Sequence, residues 1–100
     1  MNKLTDRAIA KRPLNEKTVV ITGASSGAGK AAALAFAAEG ATLVLAARRE
    51  LALEELVKEC HSLGAMAIAI PTDVTDPDSM KRLALAAFDF GGSIDVWINN

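Results

Sequence analysis

Thr18-Val19-Val20-Ile21-Thr22-Gly23-Ala24-Ser25-Ser26-Gly27-Ala28-Gly29-Lys30-Ala31-Ala32-Ala33-Leu34 is the stretch that decides the fold. A β-branched run leads into a small-residue loop and then into an alanine-rich segment, so it reads as strand, tight turn, helix. The glycines Gly23, Gly27 and Gly29 let the backbone take positive φ, approach a ligand with no Cβ in the way, and bring the helix close to the strand. The first N–H groups of that helix and its dipole both favour an anion in the turn. A phosphate suits such a turn.

Working outward, Pro13-Leu14-Asn15-Glu16-Lys17 makes a turn ahead of a strand over 18–22. The helix predicted over 27–39 carries charge only at Lys30 and Glu39, and its composition predicts burial nearly all round. Gly40 stops it. The run 41–46 is continuously apolar, as in a parallel strand covered on both faces, and ends near Ala47. From 50 to 63, Leu53, Leu56, Val57, Cys60 and Leu63 recur at three- and four-residue spacing, the signature of an amphipathic helix. A third strand is predicted over 66–70, ended by Pro71. Thr75-Asp76-Pro77-Asp78 is a helix start, with capping oxygens and acids near the positive end of the dipole. That helix runs over 76–90 with Met80, Leu83, Ala84, Ala87 and Phe88 as its inner face, and a fourth strand is predicted over 94–98. Strands and helices in this alternation give an α/β, Rossmann-like, doubly wound parallel sheet of βαβαβαβ order. Strand order 3-2-1-4 puts the glycine turn at a reversal of the sheet, where such folds bind ligands.

The chain has 100 residues, 51% of them hydrophobic, and a net charge of −1, which describes one ordinary globular domain. Neither nucleic acid nor an acidic membrane is an expected partner, and no apolar run is long enough to span a bilayer. The first dozen residues lack the apolar centre of a secretion signal, so the expected location is cytoplasmic. Residues 1–12 read as an arm or short surface helix without a function, and 13–100 as the domain. Cys60 is the only cysteine, which rules out an intrachain disulfide, and it falls on the inner helix face as a core residue. His61 has no cluster of metal-ligating residues near it in sequence, so no metal site is expected. Asp95 reads as a local cap and Trp97 as core.

The next informative position lies about 20 residues past the glycines, where a dinucleotide-binding fold uses Asp or Glu for the ribose hydroxyls of NAD or Arg for the 2′-phosphate of NADP. Here the second strand ends in Ala46-Ala47-Arg48-Arg49, with no carboxylate and two guanidiniums. Each can give paired, charge-assisted hydrogen bonds to a phosphate, whereas cations left at a helix start oppose its dipole. NADP(H) is the expected cofactor, with NAD(H) still open. A rival reading takes Ala24 to Lys30 as the phosphate loop of a nucleoside triphosphatase. Ala24 replaces its first glycine, however, and Ala31 replaces the hydroxyl residue that binds magnesium.

Taken together, Thr22 to Gly29, Ala47-Arg48-Arg49, Asp73-Val74 and Asn99-Asn100 resemble the short-chain dehydrogenases/reductases of TGxxxGxG type with NADP preference. The resemblance covers residues 13–100 and implies a Rossmann fold, a nicotinamide cofactor and hydride transfer between an alcohol and a carbonyl. The cofactor-binding residues it implies are Gly23, Ser25, Ser26, Gly27, Ala28, Gly29, Arg48, Arg49, Asp73, Val74 and Asn99. Among these, Asp73 and Val74 border the adenine, and Asn99 belongs to the NNAG motif that ties the central strands together. Ala28 stands where the family usually has isoleucine or another larger apolar residue. The family's catalytic Ser, Tyr and Lys lie downstream of NNAG and the chain has no tyrosine, so no catalytic residue is expected in this segment. The expectation is therefore the cofactor-binding portion of a longer enzyme, truncated within that motif, with a small-molecule substrate and a homo-oligomeric full-length form. A non-catalytic dinucleotide-binding or regulatory module is the other reading.

Overall fold

A computed structural model describes residues 13–100. The arm expected at residues 1–12 lies outside the described residues. After a 3₁₀ turn at Leu14–Glu16 come β1 (Thr18–Thr22), α1 (Gly27–Ala38), β2 (Thr42–Ala47), α2 (Glu50–Ser62), β3 (Ala67–Pro71), α3 (Pro77–Gly91) and β4 (Val96–Ile98). All pairings are parallel, in the order β3-β2-β1-β4, with Val19 beside Leu43 and Val96, and Leu45 beside Ala69. The expected strand order is the observed one.

The chain winds outward from β1 through β2 to β3, then crosses back to place β4 on the other side of β1. With crossovers of constant hand, that reversal moves the third helix to the opposite face of the sheet. Alternating strand residues accordingly feed two cores. Val19, Ile21, Leu43 and Leu45 pack with Ala33 and Ala37 of α1 and with Leu53, Leu56 and Cys60 of α2. Val20, Val44 and Ala46 pack with Leu83 and Ala87 of α3. Each fully buried Val, Leu or Ile contributes about 1.5–3 kcal/mol relative to exposure, so β1 and β2, buried along nearly their whole length, supply most of the hydrophobic stabilisation.

Several expectations are corrected. Helix α1 is not buried all round: Gly29, Ala33 and Ala37 form a single buried stripe, while Ala28, Lys30, Ala31, Ala35 and Ala38 are exposed. Alanine serves there as a helix former with little area to hide, and burial nearly all round does not follow from an apolar letter. On α3 the buried ridge is Ser79, Leu83 and Ala87, an i, i+4, i+8 row, so Phe88 falls one position off it and is 58% exposed, and Phe90 packs inward instead. Trp97 is only half-buried. β3 includes Pro71, tolerated because the strand is at an edge, and β4 begins at Val96. Before β4, Asp95 Oδ2 accepts from the Thr18 backbone N–H at 2.8 Å and from Ser93 Oγ at 2.8 Å, clamping the entry of β1.

Candidate functional site

All four parallel strands deliver their carboxyl ends to one rim, and a cleft of about 450 Å³ opens there. Its first wall is the turn after β1. Gly23 and Gly27 stand at φ +59° and +56°, conformations that L side chains rarely adopt. Gly29, in the first turn of α1, is helical, but a Cβ there would run into the Gly23 carbonyl oxygen and come within 2.7 Å of Asn100 Nδ2. The glycines thus permit a close approach of helix, turn and the segment after β4. Ala24 N–H donates to Ala46 O at 3.1 Å, pinning the turn to the end of β2. Ser26 is the N-cap residue of α1, yet its side chain makes no capping bond, so its hydroxyl and the first N–H groups of α1 are spared for other partners.

The second wall is Ala47, Arg48 and Arg49, with Ala52 from the first turn of α2. Arg48 Nη2 donates to Asp73 Oδ1 at 2.9 Å across the cleft mouth, and both side chains are well exposed. Arg49 is the N-cap residue of α2 and makes no side-chain cap bond. The third wall, after β3, holds Thr72 and Val74. Asp73 Oδ1 also accepts from Thr75 N–H at 2.9 Å and Thr75 Oγ1 at 2.6 Å. The Thr75 bonds first and the Arg48 bond second hold the Asp73 carboxyl down to about 2, well below the usual carboxylate range. Asn100 closes the fourth side: its Nδ2 donates to Gly23 O at 2.9 Å and its N–H to Thr22 Oγ1 at 3.3 Å.

Of the residues singled out in the sequence, Gly23, Ser25, Ser26, Arg48, Arg49 and Val74 share the cleft. Gly27 and Ala28 lie at the exposed start of α1, Gly29 is buried beneath the turn, and Asp73 stands behind Arg48. Asn99 Oδ1 accepts from Trp97 Nε1 at 2.8 Å and from Thr22 Oγ1 at 3.4 Å, at the start of the glycine turn, and the neighbouring Asn100 reaches on to Gly23. Ala47, Ala52, Thr72 and Asn100 also line the cleft and are not among the expected binding residues, although Ala47 and Asn100 lie within the motifs quoted from the sequence. A signal for Thr72 and Asn100 did exist, since residues just past a parallel strand converge on one rim.

Lys30 Nζ lies 3.8 Å from Glu59 Oε1 on α2, both groups half-exposed, which ties the lysine to a neighbouring helix rather than to the turn. Among the described residues no group of three or more His, Cys, Asp or Glu side chains is placed to hold a metal ion. Nor, among them, is any helix long and apolar enough to cross a membrane.

A profile of the family described as short chain dehydrogenase matches residues 17–100. The oxidoreductase YxnA of Bacillus subtilis is 42% identical over 89 residues, covering 89% of this chain and 25% of its own. The 1-deoxy-11-beta-hydroxypentalenate dehydrogenase of Streptomyces arenae is 44% identical over 84 residues, covering 84% of this chain and 30% of its own. A solved 7 alpha-hydroxysteroid dehydrogenase, complexed with NADH and 7-oxo glycochenodeoxycholic acid, superposes with a TM-score of 0.85 at 35% identity, covering 88% of this chain and 34% of its own. The chain therefore spans a quarter to about a third of the length of these relatives.

Proposed function

The chain belongs to the short-chain dehydrogenases, oxidoreductases that use NAD(H) or NADP(H), and on that premise we propose that residues 13–100 form the cofactor-holding domain of an NADP(H)-dependent member acting on a small-molecule alcohol or carbonyl. The observation that carries the choice of NADP(H) is the end of β2, where Arg48 and Arg49 stand at the cleft and no carboxylate does. The related hydroxysteroid dehydrogenase holds NADH, so the preference in this chain rests on its own side chains.

The residues present fit a dinucleotide. Gly23 and Gly27 hold the turn at positive φ, and the missing Cβ at Gly29 lets α1 pack directly beneath the Gly23 carbonyl, which sets the shape of the turn. Ser25 and Ser26 offer hydroxyls, and the N–H groups of Gly27, Ala28 and Gly29 open α1 with a partial positive charge, the combination a pyrophosphate requires. Arg48 and Arg49 supply forked donors for the 2′-phosphate, while Val74, 54% exposed at the cleft, gives an apolar surface for the adenine beside Asp73. Asn99 and Asn100 join β4 to the glycine turn through Thr22 and Gly23 and hold the cleft floor. When bound, the nicotinamide accepts or donates the hydride. The described side chains bind and orient the cofactor, and proton transfer to the substrate falls to residues outside this segment. The full-length protein is a cytoplasmic homo-oligomer in this reading.

The test is titration of NADPH and NADH against the full-length protein carrying Arg48→Asp. Loss of a charge-assisted hydrogen-bonded contact weakens NADPH binding by about 1.5 to 3 kcal/mol and leaves NADH binding nearly unchanged. Equal loss for both cofactors refutes the 2′-phosphate assignment.

A further inference from the structure

The carboxylate of Asp73 is anchored independently of the arginine it meets. Two of the hydrogen bonds on its Oδ1 come from Thr75 of the same loop, and the Asp73 N–H donates to the buried Ser79 Oγ of α3 at 3.0 Å. Arg48 is the opposite case. Its side chain is 70% exposed, and among the described residues Asp73 is the one partner its guanidinium finds. A fixed acceptor therefore decides where a long, freely rotating donor rests. The contact uses one N–H of the guanidinium and leaves its remaining donors for a second anion. An arginine already held at the cleft mouth gives up less rotamer freedom when that anion arrives.

We propose that Asp73 is a positioning residue for cofactor choice: it holds Arg48 at the cleft mouth so that the guanidinium receives the 2′-phosphate of NADP(H). The proposal rests on the reading of Arg48 given above. The carboxylate is a weak rival for the phosphate, because the Arg48–Asp73 pair faces solvent that screens its charge. Any contact of Asp73 with the adenine affects NADPH and NADH alike and cancels in the ratio of their affinities.

The experiment measures Kd for NADPH and NADH in the full-length protein with Asp73→Ala, Asp73→Asn, Arg48→Ala and the double variant Arg48→Ala/Asp73→Ala. Both side chains are well exposed, and because Asp73 also accepts from Thr75, circular dichroism of each variant checks that the fold is kept before the affinities are compared. Asp73→Ala lowers the preference for NADPH about three- to fivefold, the scale of an exposed ion pair. Asp73→Asn, which keeps an acceptor but no charge, retains part of the preference, and Asp73→Ala has no further effect once Arg48 is alanine. A preference left unchanged or raised by Asp73→Ala, in a protein whose preference Arg48→Ala abolishes, overturns the positioning role and leaves the phosphate reading standing. A preference that Arg48→Ala does not move overturns both.

Discussion

Replacing Gly29 by alanine separates a helical residue from a cradle residue. Gly29 is in the first turn of α1 with helical backbone, and by helix propensity alone alanine stabilises such a position by up to about 1 kcal/mol. The surroundings oppose this. The added Cβ meets the Gly23 carbonyl oxygen, lies 3.0 Å from the Gly23 carbonyl carbon and comes within 2.7 Å of Asn100 Nδ2. The obstructing atoms are mostly backbone of a turn pinned at both ends, so they cannot swing aside as a flexible side chain would. Overpacking of this kind costs about 1–3 kcal/mol. Losing the Asn100 Nδ2 bond to Gly23 O adds about 0.5–1.5 kcal/mol. Set against a propensity gain of about 1 kcal/mol, the net effect is a destabilisation of about 0.5–3.5 kcal/mol. Urea denaturation of the full-length protein followed by circular dichroism reads this directly, and NADPH titration of the same variant reports a weakened cleft. A Gly29→Ala protein more stable than the parent would refute the close-packed turn.

Three further outcomes are expected. Leu83→Ala removes a fully buried side chain of α3 and costs about 2–5 kcal/mol in denaturant unfolding, whereas Phe88→Ala, at a position 58% exposed, stays within about 1 kcal/mol, and a larger loss at Phe88 would contradict the observed rotation of that helix. The Asp73 carboxyl, held down to about 2, stays ionised through mildly acidic pH. Because its folded value lies below the ordinary one of about 3.9, its contribution to stability is complete above that pH and is lost as the pH falls through about 2. Carboxyl carbon NMR titration follows this, and Thr75→Val, which removes the hydroxyl bond, raises the value. Burial first, and the neighbouring Glu59 charge second, push the Cys60 thiol up, so it reacts with a disulfide reagent at pH 8 only after denaturation, and prompt native labelling would contradict its placement in the core.

Much of this molecule is legible in short windows of sequence. The β-branched run before Gly23, the three- and four-residue spacing from Leu53 to Cys60 and the Asp76-Pro77 helix start each act through local geometry, and the structure keeps all three. Helix rotation is less legible. An apolar letter at Phe88 or along the outer side of α1 looks the same whether it faces the sheet or solvent, and the angle at which a helix meets the sheet is set by residues far away in the chain. The cleft shows the same division. The glycine turn and the paired arginines stand out as motifs, but Asn100 reaches Gly23 across 77 positions and Arg48 meets Asp73 across 25.

By itself the sequence determined the alternation of strands and helices, the glycine turn and the cation pair after β2, because each depends on backbone preferences and side-chain chemistry expressed within a few residues. Only the tertiary structure decided that Asp73 meets Arg48, that Asn99 and Asn100 reach back to Thr22 and Gly23, and that α1 buries one stripe. Those outcomes follow from bringing the ends of four parallel strands to one rim, where residues distant in the chain become neighbours.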